Sequence, residues 1–124
     1  MTLFIVGTPI GNLEDLSPRA ARVLREADLI AAEDTRAAKT LLAHAGAGDK
    51  RVISNFEGNE AERAEDIVRA LGAGQSVAVI SEAGMPGISD PGVRAVASAI
   101  EAGARVEVIA GPNAAMAALL GSCL

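Results

Sequence analysis

The sequence predicts an α/β domain in which a five-stranded, mostly parallel sheet is covered by helices on both faces. Short apolar runs alternate with amphipathic helical segments along the 124 residues, as happens when helical crossovers join parallel strands. Turn-forming residues separate each strand from the next helix. Half of the residues are hydrophobic and only 2% are aromatic, so the core is expected to consist of Ala, Val, Ile and Leu.

The first two units each pair a short apolar strand with a capped helix. Their strands, rich in apolar side chains, are residues 2–7 and 29–32. Ser17 and Pro18 open the first helix, because serine caps a helix and proline suits its first position. Asp34 or Thr35 is the expected cap of the second helix, which Gly46 ends.

The remaining units repeat the pattern with longer loops. Their strands are residues 51–54, 77–80 and 106–109. The third helix closes at Gly72, and Asn59 can form a capping box with Glu62 at its start. Asp90 and Pro91 open the fourth helix. The side chains expected to face inward from this helix are Val93, Val96, Ala97 and Ile100. A last helix rich in Ala, Met and Leu is predicted after residue 113.

Composition limits the functional classes. A single cysteine excludes an internal disulfide, and no His, Cys or acid cluster has metal-ligand spacing. No apolar run is long enough to span a bilayer, and the start lacks the pattern of a signal peptide, so a cytoplasmic protein is expected. The net charge of −5 argues against nonspecific nucleic-acid binding by the whole surface but allows a local basic patch. Because the chain stops inside an apolar helical pattern, we expect a fragment of a longer protein.

The loops after the strands hold the unusual residues, at the edge of a parallel sheet where ligands bind. Residues 7–12 either let a ligand approach the backbone closely or form a plain turn. Residues 81–92 contain three glycines and two prolines. This loop is longer than an ordinary strand-to-helix connection, which favours a ligand site.

Charged side chains follow the second strand. Glu33, Asp34 and Arg36 either form a polar wall for a substrate or serve the start of the next helix. Arg36 and Lys39 lie about one helical turn apart. They can contact a phosphate or belong to a solvated helix face.

Five segments in order carry recognisable motifs. They are residues 6–13 with 17–20 after them, 31–36, 59–63, 80–92, and 111–112 with the Ala-rich helix that follows. Together these segments resemble the ribosomal RNA small subunit methyltransferase I family of the tetrapyrrole methylase superfamily. The resemblance covers nearly the whole chain, and five collinear motifs are far more specific than one.

The resemblance implies an S-adenosylmethionine-dependent enzyme that methylates the ribose 2′-hydroxyl of a cytidine in small-subunit ribosomal RNA. It implies a cofactor cleft between two α/β domains, of which residues 1–124 are the N-terminal one. The C-terminal domain is absent from this chain, so the chain would be an inactive half-site by itself. The family implies a homodimer, and no metal or membrane partner is expected.

By position, the resemblance assigns one group of residues to the cofactor and another to the RNA side of the cleft. The cofactor group is Pro9, Ile10, Ala83, Gly84, Met85, Ile88, Asn113 and Ala114. The substrate group is Glu33, Asp34, Arg36, Glu57 and Asn59. Phe56 and Gly58 stand where the family commonly has histidines, so the proton acceptor stays open among Glu33, Asp34, Glu57 and the absent domain. The Phe56 ring either stacks on a base or anchors its loop.

Two other functions remain as alternatives. One is methylation of a small tetrapyrrole of the precorrin type, whose enzymes tend to have a more glycine-rich first loop. The other is a non-enzymatic α/β module that binds a ligand. Precorrin turnover would favour the first alternative, and failure of the full-length protein to bind S-adenosylmethionine would favour the second.

Overall fold

The computed structural model describes residues 1–8, 12–55, 58–80 and 90–109, in which strands and helices alternate. The strands are β1 (Thr2–Val6), β2 (Leu29–Ala32), β3 (Arg51–Ser54), β4 (Val77–Ile80) and β5 (Arg105–Ile109). The helices are α1 (Pro18–Glu26), α2 (Thr35–His44), α3 (Glu60–Gly72) and α4 (Asp90–Glu101). A short 3₁₀ turn, Leu13–Asp15, was not predicted. The helix predicted after residue 113 lies outside the described residues.

The strands form one sheet in the order β3-β2-β4-β1-β5. Each described pairing is parallel, and Phe4 of β1 lies opposite Ala78 of β4 and Glu107 of β5. β1 and β4 are interior strands, which explains why their sequences are almost wholly apolar. The predicted five-stranded parallel sheet is confirmed.

Side chains cap α1 and α2 as the sequence predicts. Ser17 Oγ accepts a hydrogen bond from the Ala20 N–H at 3.0 Å, with Pro18 in the first position of α1. Asp34, rather than Thr35, caps α2. Gly46 follows α2 with φ at 78°, a left-handed conformation that glycine adopts without steric cost.

Two apolar clusters lie on opposite faces of the sheet. α1 and α2 pack on one face, where Val6, Ile30 and Ile80 point towards them. α3 and α4 pack on the other face, against Leu3, Val77 and Val79. Alternate residues of one strand serve the two clusters, as the pleat of a strand requires. The prediction that helices cover both faces is confirmed.

The inward face predicted for α4 was wrong at Ala97 and Ile100, whereas Val96 packs against the core cluster as expected. Ala95 and Ala99 are the buried residues, at 1% and 0% exposure, whereas Ile100 is 60% exposed. Ala97 is also exposed, Val96 is half-buried, and the Val93 side chain lies outside the described part of the chain. Methyl side chains let the helix approach the sheet closely, so packing selected the small residues rather than the most hydrophobic ones.

Candidate functional site

The candidate site lies at the edge of the sheet where all five parallel strands end. Backbone hydrogen bonds continue past the strand ends. The Gly7 N–H donates to the Ile109 carbonyl at 3.0 Å, and the Asn55 N–H donates to the Ala32 carbonyl at 2.7 Å. The loops therefore leave the sheet from fixed points, which is a requirement for a preorganised ligand site.

The strand order separates the two groups of predicted site residues. The predicted cofactor residues follow β1, β4 and β5, which are neighbours in the sheet. The predicted substrate residues follow β2 and β3, which form the other side. The eight cofactor residues and Glu57 lie outside the described residues, so their assignment stays a prediction. The strands that lead to them are adjacent, as one shared site requires.

Asp34 has a structural role at the start of α2. Its Oδ1 accepts hydrogen bonds from the Arg36 N–H at 2.9 Å and the Ala37 N–H at 3.3 Å. One carboxylate oxygen thus satisfies two backbone donors that the helix leaves unpaired. Glu33 and Arg36 are both exposed, and neither has an ion-pair partner within the described ranges. Both remain available to a substrate.

Hydrogen bonds from Asn59 link the end of β3 to the start of α3. Its side-chain amide donates to the Ser54 carbonyl at 3.2 Å and to Ser54 Oγ at 3.1 Å. Arg63 Nε donates to the same carbonyl at 2.9 Å. Asn59 makes no side-chain cap with α3, so the capping box with Glu62 does not form. The loop between Ser54 and Asn59 is therefore closed at its base.

Two buried polar atoms lack a hydrogen-bond partner among the described residues, and sequence reasoning missed both. One is Thr8 Oγ1, in a residue that is only 1% exposed. Thr8 directly follows Gly7, whose N–H makes the hydrogen bond at the end of β1. Glu60 Oε2 lies at the start of α3, while Oε1 of the same carboxylate is 3.6 Å from Arg94 Nε on α4. Buried hydroxyls and carboxylates normally find partners. In the sequence, the only signal for Thr8 was a hydroxyl between Gly7 and Pro9.

The described part of the chain holds neither a metal cluster nor a membrane-spanning helix. Among these residues, no three His, Cys, Asp or Glu side chains are grouped so that they could hold a metal ion. None of the helices described is both long and apolar enough to cross a membrane.

Comparison with known sequences gives both a family and close relatives. The ribosomal RNA small subunit methyltransferase I of Halalkalibacterium halodurans is 50% identical over 123 residues, which cover 99% of this chain and 42% of that protein. The protein of the same name from Escherichia coli O157:H7 is 48% identical over 117 residues, covering 94% of this chain and 41% of that protein. The chain thus spans about two fifths of the length of these curated relatives.

The solved structures agree on the fold. Uroporphyrin III C-methyltransferase from Thermus thermophilus matches with a TM-score of 0.66 and 22% identity, over 89% of this chain and 48% of that one. A second structure of that enzyme, with a TM-score of 0.63, 22% identity and coverage of 89% and 47%, contains S-adenyl homocysteine. The model of the tetrapyrrole (corrin/porphyrin) methylases matches residues 2–122. The fold and this match together show that the chain belongs to the tetrapyrrole methylase family.

Proposed function

We propose that this chain is part of an S-adenosylmethionine-dependent methyltransferase that acts on the ribose 2′-hydroxyl of a cytidine in small-subunit ribosomal RNA. One observation carries the proposal. About half of its residues are identical to those of relatives named ribosomal RNA small subunit methyltransferase I. The structurally similar uroporphyrin enzyme shares only 22%. The relatives' name therefore favours RNA over a tetrapyrrole as the acceptor.

The proposal includes a second domain. The relatives are more than twice as long as this chain, so we assign residues 1–124 to an N-terminal α/β domain and expect a C-terminal domain to complete the cleft. This chain alone is then an inactive half-site. The intact enzyme is proposed to be a cytoplasmic homodimer without a metal ion.

The proposed cofactor is S-adenosylmethionine, and the loops after β1, β4 and β5 are proposed to bind it. Two observations support it: a fold neighbour crystallised with S-adenyl homocysteine, and the unpaired buried Thr8 hydroxyl at the end of β1. A ligand with hydrogen-bonding groups fits that atom, since it would satisfy a donor and acceptor that the described residues leave unused. The residues proposed to line the site are Pro9, Ile10, Ala83, Gly84, Met85, Ile88, Asn113 and Ala114.

The chain's own residues would contribute positioning and proton transfer. Bound S-adenosylmethionine supplies an electrophilic methyl group, and the hydroxyl oxygen must align with the methyl carbon and sulfur. The hydroxyl is a weak nucleophile, so a carboxylate that accepts its proton would accelerate the step. Asp34 already uses Oδ1 as a helix cap. Glu33 is exposed and has no ion pair within the described ranges; we therefore rank it ahead of Asp34.

The test supplies methyl-labelled S-adenosylmethionine and undermodified small ribosomal subunits to the intact protein, with this chain as the control. Label in cytidine ribose with the intact protein alone is the expected result. A parallel reaction offers a precorrin or uroporphyrinogen instead of RNA. Label in the tetrapyrrole and none in RNA would replace the proposed acceptor, and absence of cofactor binding would favour a non-enzymatic module.

A further inference from the structure

The helical layers on the two faces of the sheet carry opposite charge. α1 has three arginines and one glutamate, and α2 has one arginine, one lysine and no acid, which gives this layer a formal charge of +4. α3 and α4 together have six acids and three arginines, which gives −3. The chain as a whole has a net charge of −5. A basic layer on an acidic chain is a local feature that the total charge conceals.

The cations of the two layers also differ in what they contact. Every arginine of the α3–α4 layer is in an ion pair: Arg63 and Arg69 with Asp66, and Arg94 with Glu60. In the α1–α2 layer, Arg19 pairs with Glu107, and Arg25 donates to the Ala45 carbonyl. The cations of this layer whose side chains make no ion pair or hydrogen bond to a described residue are Arg22, Arg36 and Lys39.

These three side chains, which we call the basic face, project from one side of the domain. All three are exposed, because the residues that turn inwards from α1 and α2 are apolar. The hydrogen bond from Arg25 to Ala45, 3.0 Å long, joins the carboxyl ends of the two helices. Both helices begin at the candidate-site edge of the sheet, so Arg36 and Lys39 lie in the half of α2 nearest that edge.

We propose that the basic face binds the phosphate backbone of the RNA substrate and holds it against the candidate site. The inference rests on the proposed function and adds to it the surface that receives the RNA. Exposed arginine and lysine side chains without acidic partners suit phosphate oxygens. Neither α1 nor α2 contains a Phe, Tyr or Trp on which a base could stack. The basic face therefore offers positive charge to the phosphates and no large aromatic ring to the bases.

The test compares two triple variants of the intact protein that change the net charge equally. R22Q/R36Q/K39Q removes the basic face. R51Q/R69Q/R105Q, the matched control, removes three exposed arginines around the opposite edge of the sheet. Binding to purified small ribosomal subunits is measured across a salt series. Isothermal titration with S-adenosylhomocysteine and thermal unfolding monitor the cofactor site and the fold.

The basic-face variant is expected to bind subunits on the order of ten- to a hundredfold more weakly, because three phosphate contacts are lost. Each lost contact also removes about 0.7–0.9 from the slope of log K against log salt. Its slope should fall by about 2–3, while cofactor affinity and melting temperature match those of the control. Equal binding and equal slopes for the two variants would overturn the inference alone. Wild-type protein that binds cofactor but no ribosomal RNA would overturn the proposed acceptor, and the inference with it.

Discussion

Thr8 places a hydroxyl at the end of an interior strand and leaves it without a partner among the described residues. Replacing it with valine, T8V, keeps the shape and removes the polar group. Because no described hydrogen bond is lost, stability should stay equal or rise. If the hydroxyl contacts the cofactor, T8V should weaken S-adenosylhomocysteine binding about two- to tenfold, which corresponds to one hydrogen bond of about 0.5–1.5 kcal/mol.

T8S is the matched control, since it retains the hydroxyl and should bind like the wild type. Isothermal titration and thermal unfolding provide the two measurements. Unchanged affinity in T8V would show that the hydroxyl does not serve the cofactor. A fall in melting temperature would instead reveal a partner for Oγ1 inside the protein.

Asp34 combines a structural contact at the start of α2 with a predicted role on the substrate side. D34A should lower the free energy of unfolding by about 0.5–2 kcal/mol, because the cap of α2 is lost. D34N should retain most of that stability, since asparagine caps helices as well as aspartate does. Urea unfolding measures both. We expect D34N to retain most methyl transfer, and a well-folded D34N at least about a hundredfold slower would identify Asp34 as the proton acceptor.

At the scale of elements, the two sides of α4 show whether close packing or side-chain hydropathy determines which residues of a helix are buried. Ala99 is fully buried against the sheet, and the next residue, Ile100, is 60% exposed. A99L should destabilise this chain by about 1–3 kcal/mol, because the added carbons have no space. I100Q should change its stability by less than about 0.5 kcal/mol.

Urea unfolding of the two variants provides the comparison. A large loss in I100Q would mean that this side of α4 is covered, either in a dimer or by another segment. Equal and small effects in both variants would mean that α4 packs more loosely than the structure indicates.

Element boundaries were largely predictable because they depend on local chemistry. Ser17, Asp34 and Gly46 act where the sequence predicts, since caps and left-handed glycines involve only a few neighbouring residues. The role of Asn59 was not predictable in the same way. Its amide reaches Ser54, on the far side of a loop, and that contact competes with a local cap.

At the scale of the whole molecule, the sequence predicted the fold class and the edge of the site but not the strand order. Alternating apolar strands and amphipathic helices are sufficient to predict a parallel sheet. The order β3-β2-β4-β1-β5 depends on the face of the sheet on which each connecting helix packs. No local sequence pattern predicts that face. The Thr8 hydroxyl, which has no partner among the described residues, and the division of charge between faces depend on the same long-range arrangement. Only the assembled structure reveals them.

The position of β1 in the sheet has a consequence for synthesis on the ribosome. Of the five described strands, β1 leaves the exit tunnel first, yet its partners β4 and β5 are encoded far downstream, with Phe4 opposite Ala78 and Glu107. At about 5–20 residues per second, this apolar segment waits roughly 4–15 s for its first neighbour. β2 and β3, by contrast, can pair as soon as α2 has formed. Within this chain, β1 is therefore synthesised well before the strands that cover both of its edges.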